Sequence, residues 1–417
     1  MADLLTPDYY AGFQCIGAEC EDSCCKGWSI GIDRDTYHAY KSNRHPALAP
    51  LIKIAVHRNA KAESNSNTSF GTMRMRDDGS CHFLDHDSLC LIQKTLGAQA
   101  LGNVCRIYPR YLNRFGQQRE NSLSISCPQA ARLILLRREP ITFAASPADA
   151  VYDSKAFTSY AYPRHGDDDP EQIAVLNHLR ALIIAILQLR TISIGARVVL
   201  LGFLLEDASR VMGAAPVVHA SALLPTLQSF AGMLEHPQAL ERQYGAIAAD
   251  TPRRLRAVAR LMVDAMNSSA TRRFKDCLQL AARGLGVDGD NGASGSTVHA
   301  YLQAYEQYYA PFIADRAHIL ENYLVNDVVT RLFPFTRGTF LDLYREMVCN
   351  LGVLEVLMVG LSAHDKGLGE ERVVQLFQSF VRSVTHNSKH LDLLIGSLKA
   401  GPDDAFIHIM WMLKGQA

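Results

Sequence analysis

Eight of the ten cysteines in this 417-residue chain lie between positions 15 and 127: Cys15, Cys20, Cys24, Cys25, Cys81, Cys90, Cys105 and Cys127. Cys277 and Cys349 stand alone in helical context and read as small buried hydrophobes. Clustered thiols can pair as disulfides, bind metal, or simply pack. A disulfide framework suits a small secreted domain, whereas a chain of this length has interior enough without such staples. The opening sequence MADLLTPDYYAGF has neither a basic leader nor an apolar run, so no secretory signal is expected and a reducing, cytoplasmic setting is. There, clustered thiols favour metal binding over disulfides, with packing as the plainer alternative.

The spacing narrows the metal. The first group reads C-x4-C-x3-C-C, and no C-x2-C knuckle occurs anywhere, which disfavours the zinc-ribbon and zinc-finger patterns without excluding zinc. Adjacent Cys24 and Cys25 point their sulfurs apart and would chelate one tetrahedral ion poorly. A polynuclear iron-sulfur cluster spreads its ligands over several irons and accommodates irregular spacing and distant partners. Eight thiols exceed the four ligands of one cluster, so the sequence does not assign the four.

The elements that must position these thiols fall into regions. Lysine plus arginine and aspartate plus glutamate each number 42, so no global field attracts nucleic acid or an anionic membrane. With 48% hydrophobic and 20% charged residues the composition is that of a folded protein, not a disordered one. Ala181 to Leu187, the best membrane candidate, is interrupted upstream by Asn177, His178 and Arg180 and falls short of the ~18 apolar residues a spanning helix needs, so none is expected. Residues 1–140 combine the cysteines with turn-forming stretches at 63–69 and 77–80 and read as an irregular, metal-organised region. Residues 141–283 turn helical. Asp168, Asp169 and Pro170 signal a helix start, followed by Ile173, Leu176, Leu179, Ile183, Ile186 and Leu187 at helical spacing; Gly195 breaks the pattern, and Asp250-Thr251-Pro252 announces a further helix through Leu261.

Residues 284–296 read as a glycine-rich linker, and 297–417 as a second helical region. Gly284, Gly286 and Gly289 spell G-x-G-x-x-G, but a helix-like run precedes them, whereas a dinucleotide-binding loop needs a strand before it and a helix start after it. Arg253, Arg254, Arg256 and Arg260 read as a solvated helix face, with contact to an acidic protein partner or anionic ligand as the alternative. Glu321, Asn322, Tyr323 and Asn326 lie within two turns, with Asn322 and Asn326 on one face. Such polar sets are usually satisfied packing groups or caps, and a minority line ligand pockets. His386-Asn387 reads the same way.

The run from Phe13 to Asp33, FQCIGAECEDSCCKGWSIGID, followed by C81-H-F-L-D, L89-C90-L-I and C105-R-I-Y-P-R110, resembles the cysteine-rich region of the bacterial flagellin lysine N-methylase family. The blocks E321-N-Y-L-V-N326 and L332-F-P-F335 resemble that family's C-terminal part. The cysteine half is shared with small proteins of the C-x2-C-x2-C-C type and alone would identify a metal site and no reaction. The resemblance implies methyl transfer from S-adenosylmethionine to surface lysine side chains of flagellin, with an iron-sulfur cluster of the four-iron type. It carries the eight cysteines over as candidate cluster residues. Radical enzymes that use this donor usually present C-x3-C-x2-C, a pattern that Cys20-x3-Cys24 followed directly by Cys25 does not fit. The expected fold is mainly α, with the irregular cysteine-rich region packed on a multi-helix body.

Chemistry sets its own requirement. A neutral lysine amine attacks a sulfonium methyl by in-line displacement, so the protein must chiefly position and deprotonate it. Tyr323 and Glu321 are the candidate bases, and Asn322, Asn326 and Arg106 the candidate cofactor contacts. The cluster would either anchor the donor at an open iron or act as a structural clasp. A metal-binding accessory or chaperone protein is the alternative from another class, and a redox oxidoreductase a weaker third.

Overall fold

Strands of two to six residues pair into two sheets in the first 160 residues of the computed structural model, which describes residues 4–28, 30–61, 69–115, 118–146, 159–160, 170–213, 220–268, 270–287, 294–335, 339–385 and 410–414. The strands are β1 (Leu4–Pro7), β2 (Ile30–Ile32), β3 (Val56–Arg58), β4 (Gly71–Met73), β5 (Arg110–Phe115), β6 (Gln118–Leu123), β7 (Phe143–Ser146) and β8 (Ser159–Tyr160). One sheet has the order β7-β1-β6-β5-β8, with β1 parallel to β6 and β5 antiparallel to β6; the other is the antiparallel set β2-β4-β3. The expectation of an irregular region is therefore corrected. These strands are too short, and too rich in glycine and charge, to show alternation in the sequence.

Five short helices complete this part: α1 (Arg34–Ser42), α2 (Ala49–Ala55), α3 (Leu91–Leu96), α4 (Asn103–Ile107) and α5 (Pro128–Leu135). Asp33 starts two of them. One carboxylate oxygen caps α1 by accepting from the Thr36 N–H at 2.9 Å, and the other accepts from the Asn103 N–H of α4 at 3.0 Å. A single side chain thus ties the helix carrying Cys105 to the helix that follows β2.

Residues Met1–Ala130 and Phe143–Tyr160 form one unit; Ala131–Thr142 and Ala161–Ala417 form a second, helical one. The chain as a whole is mainly α. The second unit contains α6 (Pro170–Leu187), α7 (Ile194–Gly213), α8 (Leu224–Met233), α9 (Pro237–Gly245), α10 (Thr251–Met266), α11 (Arg272–Gly284), α12 (Gly295–Ala304), α13 (Ala310–Arg316), α14 (His318–Thr330), α15 (Phe340–Asp365) and α16 (Glu370–Phe380). Asp250 caps α10 as its spacing predicts, and the helix runs to Met266 rather than Leu261. The break after α6 falls at residues 188–193; Gly195 lies inside α7. By length and composition α6 and α15 could each cross a membrane, contrary to the sequence expectation, and α15 is 94% buried over its most apolar stretch, as the central helix of the unit. The turn at 63–68, Asp168-Asp169, most of the glycine-rich stretch (288–293) and His386-Asn387 lie outside the described residues.

Gly284 shows what its glycine motif is for. A Cβ there would sit 2.1 Å from the carbonyl oxygen of Gly360, while one at Gly360 would sit 2.8 Å from that of Ala281. The two glycines let α11 and α15 approach closely, so they serve helix packing and no phosphate. Gly284→Ala is expected to destabilise the protein by about 1–3 kcal/mol, the usual cost of overpacking a well-packed contact, read as a lowered urea midpoint.

The arginine stripe of α10 is also partly corrected. Arg254 is fully buried, donating to Glu355 at 3.0 Å, the Tyr301 hydroxyl at 3.1 Å and the Gly352 carbonyl at 3.3 Å, while Arg253 lies 4.7 Å over the Trp411 ring. Only Arg256 and Arg260 of the stripe are exposed.

Candidate functional site

The first unit gathers most of its cysteines by backbone pairing. The Cys81 N–H donates to the Cys25 carbonyl at 2.8 Å, Leu84 pairs with Cys90 across an antiparallel bridge, and the Leu91 N–H donates to Phe83 at 2.7 Å. Cys25, Cys81, Cys90 and Cys105 consequently pack against one apolar cluster built on Ile30, Ile32, Ile52, Val56 and Phe83. Cys90 stands at the start of α3, where the N–H groups of Ile92 and Gln93 approach its sulfur. The Trp28 indole holds the neighbouring loop by donating to the Cys24 carbonyl at 2.6 Å.

Electrostatics sorts the eight thiols into two groups. Burial raises the Cys105 thiol far above its usual range, and the charges of Cys25, Cys90 and Cys81 raise it further. Burial likewise pushes Cys81 up to about 12 and raises Cys90, with Cys25 acting on both. Cys127 is pushed up to about 11 by burial and feels Cys20 and Cys15 instead. Cys24 lies between the groups; its hydrogen bond with the Cys25 thiol is the main cause of its rise, followed by burial and the charges of Cys25, Cys105 and Cys15. Thiols so placed cannot all ionise unless a cation compensates them, and soft sulfur donors match iron or zinc. Among the described residues, however, no three Cys, His, Asp or Glu side chains stand close enough to hold one metal ion. The donor set has the right chemistry but is not converged, so metal organisation of this unit is not shown.

The C105-R-I-Y-P-R110 block closes the unit. Arg106 donates to the Asn103 side chain at 2.7 Å, and its Nε is buried without a hydrogen-bond partner among the described residues. The Tyr108 and Ser126 hydroxyls lie 3.1 Å apart, and the Arg110 guanidinium stacks 4.8 Å from the Phe13 ring.

In the second unit, α14 carries the other sequence candidates to different surroundings. Glu321 is 1% exposed and is gripped by Arg190 at 2.8 Å and Arg197 at 2.9 Å. Arg197 also donates to the carbonyls of Leu187 and Ile192, so Glu321 anchors the α6–α7 connection. Asn322 is buried and donates to the Arg137 carbonyl at 2.7 Å, and Asn326 is buried as well. Tyr323 points elsewhere: its ring packs edge-on to Phe377 at 5.2 Å, and its hydroxyl has no hydrogen-bond partner among the described residues.

Tyr323 belongs to a set that the sequence reading missed. Tyr323, Asp327 and Arg331 follow one another at four-residue intervals and so form a stripe along α14 and its C-terminal end. Arg331 makes a close ion pair with Glu346 of α15 and stands 3.6 Å from Asp327, too far for a hydrogen bond. The next residue, Leu332, is held at φ 51°, a left-handed conformation that a branched aliphatic residue adopts only under constraint. An Asp four residues before an Arg reads as an ordinary helix ion pair, and Glu346 is remote in sequence, which is why no signal marked the group.

Asp327 is held against its own ionisation. Burial, with a contribution from Glu346, outweighs Arg331 and pushes its carboxyl up to about 6. The folded state then keeps a proton between pH 3.8 and about 6 that the unfolded state releases, so stability falls as pH rises through this window. Asp327→Asn is expected to abolish that slope and to be about 2–3 kcal/mol more stable than the parent above pH 6, measured by urea denaturation at pH 4.5 and 7.5.

A separate cavity of about 690 Å³ lies between α10, α11 and α12, lined by Leu255, Val258, Met262, Leu278 and Ala282, with Arg256 and Arg260 also in its wall. Its contact on α15, Val356, is ten residues from Glu346, or about 15 Å along the helix, so it is not part of the Tyr323–Asp327 group.

Comparison with known proteins places a family match in the second unit. Residues 180–410, more than half of the chain, match the family described as the FliB lysine N-methylase C-terminal domain. A stretch of 130 residues is 35% identical to a lysine-N-methylase of Salmonella choleraesuis, covering 31% of each chain, and 34% identical to that of Salmonella typhimurium, again 31% of each. The same length is 35% identical to the flagellar biosynthetic protein FliU of Salmonella muenchen, covering 31% of this chain and 75% of that one. The matched stretch thus spans about a third of the lysine-N-methylases. No solved structure matches. The helical unit with its buried E-N-Y-L-V-N helix is where the family match lies, and the chain belongs to the FliB lysine N-methylase family.

Proposed function

We propose that this protein is a protein-lysine N-methyltransferase that moves the methyl group of S-adenosylmethionine to surface lysines of flagellin in the cytoplasm, and that its first unit holds an iron-sulfur cluster. The family match over residues 180–410 carries this reading, and the lysine-N-methylase and flagellar names of the relatives support it. Free thiols in number suit a reducing compartment.

Cys25, Cys81, Cys90 and Cys105 are the residues we assign to the cluster, because Cys81, Cys90 and Cys105 each feel the charge of Cys25 and all four pack on one apolar cluster. The thiols would have to draw together to hold it; a four-iron cluster would then supply either an open iron for the donor, with three cysteine ligands, or a structural clasp with four. Cys15, Cys20 and Cys127 form the second group. The helical unit supplies the amine chemistry.

Flagellin co-expressed with the chain, digested and mapped by mass spectrometry, is expected to carry methyl groups on lysine that are absent when the chain is omitted. Unmodified flagellin, with the chain soluble and folded in the same cells, would contradict the assignment.

A further inference from the structure

We infer that the cavity between α10, α11 and α12 is a binding site for an aliphatic carboxylate, with its chain inside the cavity and its head group at Arg256 and Arg260. The inference is independent of methyl transfer.

The shape comes from α10. Leu255, Val258, Met262 and Met266 follow one another at three- and four-residue intervals and turn an apolar stripe to the cavity. The wall on this helix runs from Leu255 to Asn267, about 18 Å along the axis, so the space is elongated. Leu278 of α11 and Val356 of α15 complete its apolar lining. A volume of about 690 Å³ is that of a small-molecule site.

The wall selects the body of the ligand. Among the described residues that line the cavity there is no aromatic ring, and none has a buried polar side-chain atom left without a hydrogen bond. Thr297, the fully buried polar residue of the lining, has its hydroxyl 2.8 Å from that of Ser294. The interior therefore offers a ligand apolar burial without stacking or hydrogen bonds, which suits an aliphatic chain and not a base or a sugar.

Charge selects the head group. Arg256 and Arg260 are exposed and one helical turn apart, with Cβ atoms about 5–6 Å from each other, so both guanidiniums reach one group. Neither makes an ion pair among the described residues, and the same holds for Asp264, the acidic residue of the wall one turn further on. Two cations against one anion leave one positive charge uncompensated. A monoanion at the Arg256–Arg260 end neutralises it away from Asp264, and a carboxylate matches the planar donor fork of arginine. A cationic ligand would meet two guanidiniums.

The test uses the full chain. Octanoate, decanoate and dodecanoate, each below its micelle-forming concentration, are titrated in by calorimetry. Binding that tightens about fourfold with each added methylene, the increment for burying that group, supports a chain inside the cavity. No binding of dodecanoate, or an affinity that stays flat along the series, overturns the proposal. Decanoate is then compared with 1-decanol. Arg256→Gln with Arg260→Gln, at two exposed positions, is expected to weaken decanoate about tenfold and to leave decanol within about twofold. An equal effect on both ligands, or on neither, overturns the head-group assignment. Ala282→Phe, which fills the cavity and keeps both arginines, is expected to abolish binding of either ligand; unchanged binding places them elsewhere and overturns the site. A parent that ignores dodecanoate but holds flagellin, or phosphatidylglycerol vesicles, through the two arginines would make this face a docking surface and overturn the proposal as well.

Discussion

Glu321→Ala is expected to lower the free energy of unfolding by about 3–5 kcal/mol, the range for removing one partner of a buried ion pair. The carboxylate accepts from the Arg190 Nε and Nη2 and from the Arg197 Nη1, and Arg197 is itself almost wholly buried. Without Glu321 that guanidinium keeps its charge and loses its counter-ion. Burial already opposes the charge on Arg197, holding its pKa below the usual arginine range, with Glu321 acting against that shift. The remaining Arg197 hydrogen bonds, to Leu187 and Ile192, do not replace a charge. Because Arg190 is partly exposed it can turn to water, so Arg197→Met with Glu321→Leu is expected to recover most of the loss. Denaturant titration of the single and double variants measures both effects. Transfer activity per folded molecule is expected to survive in the double variant. Its collapse with the fold intact would return Glu321 to the chemistry.

Replacing one of Cys25, Cys81, Cys90 or Cys105 with serine is expected to remove most of the iron from anaerobically purified protein, whereas the same change at Cys15, Cys20 or Cys127 leaves iron near the parent level. Serine keeps the size of the side chain and lacks the soft, polarisable sulfur that iron-sulfur clusters require. The division follows from which thiols feel one another: Cys105 responds to Cys25, Cys90 and Cys81, and Cys127 to Cys20 and Cys15. Iron analysis with the visible absorption band checks it. Iron loss confined to the second group would assign the cluster to Cys15, Cys20 and Cys127 instead. Donor binding retained in an iron-free variant would mark the cluster as a clasp.

Helical periodicity and caps were readable because they are local: Asp250 opens α10, and the apolar repeat from Ile173 to Leu187 is α6. The sheets were not. Strands such as Ile30–Ile32 and Gly71–Met73 are too short to show a period, and the pairing of β1 with β6 joins residues more than a hundred positions apart. Gly284 illustrates a third case, in which the motif was visible but its meaning required the α15 backbone to be seen against it.

The candidate site divides in the same way. The cysteines were legible as a set because thiols are rare and clustered, yet their separation into two groups depends on loops brought together by the bridges at Lys26–Ser80 and Leu84–Cys90. On α14 the sequence drew attention to the right helix. It could not tell that Glu321 faces two arginines, that Asn322 meets the Arg137 carbonyl, or that Tyr323 packs on Phe377, because neighbouring residues on a helix diverge by about 100° and only their partners decide what each can do.

The most direct test of the central claim is methyl transfer with purified components. Anaerobically prepared protein, flagellin and S-adenosylmethionine bearing an isotopically labelled methyl group are combined, and flagellin is sequenced by mass spectrometry. Labelled methyl on lysine side chains, formed in proportion to the added protein, is the expected result. Flagellin free of label, with the protein folded and its donor intact, would contradict the account.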